Sequence, residues 1–373
     1  MFWEIITVLF VLCSIIQVVY IIIFVWFSTK RVLPTLITPI ENKILPAVSI
    51  VICARNELQR LKRNLLSVLM QKYFNDDGLR LFEVIVVNDN STDGTAAYLD
   101  ELKQLYNHLN VLHINNEIHS KKRAQKLGAE KAKYDQLLFT DADCMAVTEH
   151  WLGHMANGFA GGKDLVAGFG AYENKGTLLT GFIGFETLQS FILYASLARI
   201  GLPYMAVGRN LAVKKDKYLA VAAGSDFNTL PYGDDDLLVK EIADKFNMAI
   251  CYAPEAITLS ESPENWKAWL KQKQRHVSTA KYYKWPAKLV LGAYAISQAL
   301  IWILFIYLAL GHAGSAIYFT MACYVLLKMF AFRAYTQKLG LPKQGFIVYD
   351  FGWMIYNFVL SPFIFFINKK QWR

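Results

Sequence analysis

"FEVIVVNDNSTDGT", residues 82–95, changes character at a single point. Phe82 to Val87 is almost continuously apolar and rich in β-branched residues, as a strand covered on both faces must be. From Asn88 onward every residue is a turn former, a helix cap or a glycine. The stretch therefore predicts a buried strand, a polar loop and a helix from about Gly94. Three more segments share the pattern: "AVSIVIC" (47–53), "NVLHIN" (110–115) and the start of "QLLFTDADC" (136–144). A helical spacing of Leu61, Leu65 and Leu69 follows the first. Strands alternating with helices imply βαβ units and a mostly parallel α/β sheet. In such sheets ligands bind beyond the carboxyl ends of the strands. The polar clusters fall at those ends: "ARNE" (54–57), "NDNSTDGT" (88–95) and "TDAD" (140–143).

Outward from this region the chain turns apolar. Of its 373 residues 54% are hydrophobic and only 18% charged. Ile5 to Phe27 and Leu289 to Gly311 carry no charge, and each exceeds the ~20 residues needed to cross a bilayer. Ala316 to Phe332 and Phe346 to Ile367 are further apolar runs, with Lys328 and Asp350 near their ends. The first run has no basic n-region and is too long for a cleaved signal. Lys30 and Arg31 follow it, which places the N-terminus outside and the central region in the cytosol. Lys281, Lys284 and Lys288 agree, as do Arg333, Lys338 and Lys343. Lys369, Lys370 and Arg373 disagree if the last run crosses fully; a re-entrant hairpin broken at Pro362 is the alternative. The net charge of +9 flanks the membrane runs, so anionic lipid, not nucleic acid, is the expected partner. Five scattered cysteines with no CxxC spacing indicate neither zinc nor disulfides.

Five constellations carry chemistry. Asp141 and Asp143 stand two apart at a strand end, so in extended chain both point one way. Two carboxylates so placed suit a hard cation such as Mg²⁺ or Mn²⁺; an acidic turn in water is the alternative. Asp89 ends a buried strand, where a carboxylate can accept from a base imide or a ribose hydroxyl, while Asp93 reads as a helix cap. Lys121, Lys122 and Arg123 open a helix against its dipole, a cost that an anion would offset. "PYGDDDLL" (231–238) heads another helix. Its dipole favours one or two of Asp234, Asp235 and Asp236, and crowding by like charge raises the pKa of a third, as a general base requires. Finally, "ENWKAWLKQKQRH" (264–276) is an amphipathic helix, with Trp266, Trp269, Leu270 and Val277 on one face and lysines opposite. Gln272 and Arg275, three apart, share a face, and Arg is a bidentate phosphate ligand.

In this order, "VSIVICARNE", "VIVVNDNSTDGT", "SKKRAQKLG", "LLFTDADC", "MAVGRNLAVKK", "YGDDDLL" and "QKQRH" resemble the family 2 glycosyltransferases. The similarity is to the membrane-embedded branch with hyaluronan, chitin and cellulose synthases and ceramide glucosyltransferase, over about residues 47–276. The resemblance implies a GT-A fold, Rossmann-like with a mostly parallel sheet. One transmembrane helix would precede it (1–29) and two to three would follow. The expected domains are 47–262 for the transferase, 263–286 for the interfacial helix and 287–373 for the C-terminal membrane region. It implies that Ala54, Glu57 and Asp89 hold the uridine of a UDP-sugar, with Lys121 near the same nucleotide. Asp141 and Asp143 would be the DxD, Asp143 the more direct ligand of Mg²⁺ or Mn²⁺. Gly208 and Asn210 would line the acceptor side. Asp235 would be the catalytic base with Asp234 beside it, and Gln272 and Arg275 would face the diphosphate. The family's tryptophan after that arginine is His276 here, on the acceptor side.

The implied activity is inverting transfer to a lipid or lipid-linked acceptor at the cytosolic face of the plasma (inner) membrane, in the bacterial cell envelope. Few spans and the absent tryptophan weigh against a processive polysaccharide synthase. Occupied acidic positions weigh against an inactive sensor or scaffold.

Overall fold

A computed structural model describes residues 2–29, 45–115, 119–224, 233, 235–277, 279–311, 314–342 and 345–360. The chain divides into two units. One holds the first helix, residues 174–202 and the described residues from 263 to 360. The other holds the described residues from 45 to 173, and those between 203 and 262.

The second unit is an α/β domain on a seven-stranded sheet, in the order β3-β2-β1-β4-β8-β6-β9. Its strands are β1 (Val48–Ala54), β2 (Phe82–Asp89), β3 (Leu109–Ile114), β4 (Gln136–Asp141), β6 (Leu165–Ala167), β8 (Leu211–Lys214) and β9 (Met248–Ile250). Neighbouring pairs among β3, β2, β1 and β4 are parallel, as are β6 and β9; β8 runs antiparallel to both β4 and β6. β2 is buried at every position, as its apolar run requires. The domain's helices are α2 (Leu58–Leu69), α3 (Thr95–Leu105), α4 (Lys121–Lys131), α5 (Trp151–Asn157), α7 (Lys215–Ala222) and α8 (Asp236–Ile242). α2 lays Leu61, Leu65, Val68 and Leu69 into the core. α4 lies close enough on β1 that a Cβ at Gly128 would stand 2.6 Å from a Val51 methyl. A smaller sheet joins β5 (Cys144–Ala146), β10 (Thr258–Ser260) and β7 (Gly170–Tyr172). The reversed strand positions the site. Leu211 pairs with Phe139, so the single 3-10 turn before it, Gly208–Asn210, lies beside the carboxyl end of β4. The Thr140 hydroxyl donates to the Arg209 carbonyl at 3.0 Å.

The first unit is helical. α1 (Phe2–Thr29), α6 (Leu178–Arg199), α10 (Trp285–Leu310) and α11 (Ser315–Lys338) are each long and apolar enough to cross a membrane. α6 falls inside the span expected to belong wholly to the transferase domain, yet it groups with the helices of this unit. It is buried along most of its length. α9 (Trp266–Val277) and α12 (Ile347–Ile355) complete the unit, and a π-helical turn runs on from α12 to Leu360. Pro362 and the proposed break there lie outside the described residues. Several polar groups among these helices find partners within the protein, as groups kept from water require. Gln17 Nε2 donates to the Tyr294 carbonyl at 2.8 Å and to Ser297 at 2.9 Å. Lys328 and Asp350, both buried, form an ion pair at 2.5 Å that Gln298 and Trp302 also reach.

Candidate active site

The carboxyl ends of β1, β2 and β4 gather the polar clusters. The loops after β1 and β2 clasp each other. Asn56 and Asn90 take positive φ values of 56° and 50°, the left-handed conformation that asparagine tolerates. The Asn56 amide donates to Ser91 Oγ at 2.9 Å, and the Thr92 amide returns to Asn56 Oδ1 at 2.8 Å. Asp93 caps its own helix through the Thr95 amide at 3.1 Å. Its other oxygen accepts the Leu58 amide at 3.0 Å, capping α2 from across the loop. Burial pushes the Asp93 carboxyl up, but the hydrogen bonds from Thr95 and the Leu58 amide together hold it below its ordinary value. A carboxyl held low in the folded state contributes stability at pH values above about 3.9, and loses it as pH falls through the folded-state value. Asp93→Ala should therefore cost about 1 kcal/mol at neutral pH, the usual worth of a cap. In thermal melts the gap to wild type should narrow below about pH 4.

Asp89 is 1% exposed at the end of β2. His119 Nδ1 stands 3.3 Å from its Oδ1, while among the described residues Oδ2 is buried without a hydrogen-bond partner. A buried orphan oxygen is costly; a donor from a bound molecule would relieve it. His119, in "HSKK", is a site residue that sequence reasoning missed. Ala54 at the end of β1 is wholly buried and has no exposed side chain to offer. Glu57 is chelated by Arg60 at 2.8 and 3.1 Å. Burial raises its carboxyl against the pull of Arg60, and the charges of Asp143 and Asp141 add to the rise.

Asp141 ends β4 and Asp143 follows it, with Cys144 beside them. Ligand atoms of all three lie within 4.8 Å of one another. Burial raises Asp143, and the charge of Asp141 raises it further. Two adjacent, mutually repelling carboxylates fit a hard divalent cation, which takes oxygen ligands. The Cys144 thiol donates toward Asp143 Oδ1 at 3.4 Å and contacts Ser260 Oγ at 3.0 Å. Burial pushes that thiol up, so it serves as a neutral neighbour. Lys121 at the start of α4 pairs with Asp141 at 2.7 Å. Lys122 is buried at 4%; Arg123 is exposed.

Two further segments close on this end of the sheet. Asp235 heads α8, and both its oxygens accept backbone amides: Oδ1 from Asp236 at 2.9 Å, Oδ2 from Gly208 at 2.9 Å. Glycine at 208 eases this approach, since a Cβ there would stand 3.3 Å from Asp235 Oδ2, a tight contact. Gly208, Asp235, Phe139 and Gln125 line a small recess. The next residue, Arg209, is buried. It donates to the Tyr172 hydroxyl at 2.6 Å and lies over the Tyr172 ring at 4.1 Å. Burial opposes its charge, but Tyr172, Cys144 and Asp143 hold the guanidinium protonated. The turn thus touches Asp235 with one residue and backs the acidic pair with the next. Sequence reasoning passed over Arg209, although a charge inside "MAVGRNLAV" was a signal. Asn210 departs from its expected acceptor-side role. It is 0% exposed, donates to the Phe169 and Ala256 carbonyls, and accepts from Trp151 Nε1 at 3.0 Å. Such an amide is a strut, with no surface left for a ligand.

Asp234 lies outside the described residues, as does the side chain of His276. Gln272 and Arg275 are on α9 of the helical unit, half-buried and exposed respectively. Asp89, Lys121, Asp141, Asp143, Gly208 and Asp235 all belong to the α/β unit.

Comparison with known proteins gives the family and the fold. The model of "Glycosyl transferase family 2" matches residues 49–204, and that of "Glycosyl transferase family group 2" matches residues 137–335. A probable glycosyltransferase YdaM of Bacillus subtilis is 32% identical over 253 residues, covering 65% of this chain and 57% of that protein. A glycosyltransferase AglE of Haloferax volcanii is 32% identical over 149 residues, covering 39% of this chain and 47% of its own. The chain thus spans about half the length of these relatives. Among solved structures, the mannosyltransferase PcManGT from Pyrobaculum calidifontis, in complex with GDP-Man and Mn²⁺, aligns with a TM-score of 0.57. It is 18% identical and covers 95% of this chain and 99% of that one, a likeness of fold.

Proposed function

The chain belongs to the family 2 glycosyltransferases, and on that premise we propose that it moves a sugar from a UDP-sugar, with inversion, to a lipid or lipid-linked acceptor. The observation that carries the proposal is Asp235, fixed by two backbone amides, joined through the 208–209 turn to the acidic pair. Asp235 accepts the proton of the acceptor hydroxyl. The hydroxyl oxygen bonds to the anomeric carbon from the face opposite the nucleotide, and the bond to the β-phosphate oxygen breaks. Asp89 takes a donor hydrogen of the base or ribose on its orphan oxygen, and Glu57 borders the same loop. Lys121 and Arg275 counter the charge of the leaving diphosphate, with Gln272 beside it. Asp143 and Asp141 would hold Mg²⁺ or Mn²⁺, which when bound neutralises that developing charge.

The lipid acceptor and the position at the cytosolic face of the plasma membrane are supported by the four apolar helices and by the basic residues flanking them. Partition of product tests this reading. Purified protein in detergent, given radiolabelled UDP-sugars and membrane lipid extract, should pass label into a small organic-extractable product. Label appearing as a long water-soluble chain would refute it and favour a processive synthase.

A further inference from the structure

We propose that Glu186 and Lys273 are a positioning pair that fixes the rotation of α9 and so the direction in which Gln272 and Arg275 project; this rests on the reading of those two as diphosphate ligands. Lys273 lies on α9 between them, and its ammonium stands 2.5 Å from Glu186 Oε2 of α6. The side chains are 10% and 5% exposed. Ser190, one turn along α6, donates to the other oxygen of Glu186 at 3.3 Å. An amphipathic helix at a membrane surface keeps its lysines in water. Lys267 and Lys271 obey; Lys273 is turned inward.

Helix geometry gives the pair its consequence. At 3.6 residues per turn, Gln272 and Arg275 are about 60° apart, and the middle of their arc lies about 130° from Lys273. Trp269 lies about 40° from Lys273, on the inner face. It is 2% exposed, edge-on to Phe182 at 5.4 Å and against Tyr356 at 5.1 Å. Aromatic packing of this kind tolerates small slides and rotations. A buried ion pair does not, because either charge without its partner would be left desolvated. The pair therefore holds α9 by one face so that the opposite face presents Gln272 and Arg275 in one direction.

The test is a double-mutant cycle in the full-length protein. Glu186→Leu with Lys273→Met removes both charges and keeps apolar volume, a replacement that buried pairs tolerate. It is measured with and without Arg275→Ala, reading kcat for UDP release from the UDP-sugar that the wild type turns over and the affinity for UDP with Mn²⁺. We expect kcat to fall roughly 10- to 100-fold when the pair is removed, the scale of a small misplacement of a catalytic group. In the Arg275→Ala background the same change should cost less than about twofold, because what it positions is gone. The exchanged pair, Glu186→Lys with Lys273→Glu, should restore most of the rate. A wild-type rate in the apolar double variant, or the same loss in both backgrounds, overturns the positioning role while leaving Arg275 in place. A silent Arg275→Ala instead overturns the diphosphate reading, and the inference with it.

Discussion

Asp235→Asn should bind donor as tightly as wild type and transfer almost nothing. Both oxygens of Asp235 already accept a backbone amide, from Asp236 and Gly208. Asparagine has one acceptor oxygen, so its amide nitrogen must meet one of those N–H groups and lose that bond. The cost to stability is that of one hydrogen bond, about 1 kcal/mol, and should appear as a small drop in melting temperature. The cost to catalysis is larger, because the amide takes no proton from the acceptor; loss of a general base is worth about 10²–10⁴ in rate. Product formation and donor affinity, measured on one preparation, separate the two effects. A variant that turns over normally would remove Asp235 from the chemistry.

Asp143→Asn should show opposite signs in function and stability. Burial and the charge of Asp141 both work against an ionised Asp143. Neutralising it relieves that repulsion, so the metal-free variant should melt no lower than metal-free wild type. Its affinity for Mn²⁺ should fall by at least about 100-fold, since even outer partners of metal ligands are worth 10- to 100-fold. Electron paramagnetic resonance of bound Mn²⁺ reads the affinity, and nucleotide release should fall with it. A variant that binds Mn²⁺ normally would show that the pair is an acidic turn.

The sequence was most legible where burial left one choice. β1 to β4 are near-continuous β-branched or apolar runs, and each was found to within a residue or two at its start. The polar loops at their ends followed from parallel topology. The three-residue strands β5 to β7, β9 and β10 carry too few positions for any period to register. α6 escaped for another reason. Glu186 and several threonine, serine and glutamine side chains interrupt its apolar run, and burial on all sides leaves no amphipathic stripe. Among candidate site residues, spacing alone pointed to Asp141 with Asp143, and the ordered motifs to Asp89, Lys121 and Asp235. Spacing could not say that Asn210 spends its amide on Trp151 and two carbonyls, nor that Lys273 turns inward to a glutamate on another helix. Both facts depend on contacts between segments distant along the chain, which no local pattern encodes.

The most direct test of the whole account is nucleotide release by the wild-type protein, purified in detergent and offered a panel of UDP- and GDP-sugars with membrane lipid extract. The account predicts UDP release from one UDP-sugar, dependent on Mg²⁺ or Mn²⁺ and abolished by a chelator. Release that persists undiminished in the chelator, or release from GDP-sugars alone, would contradict it.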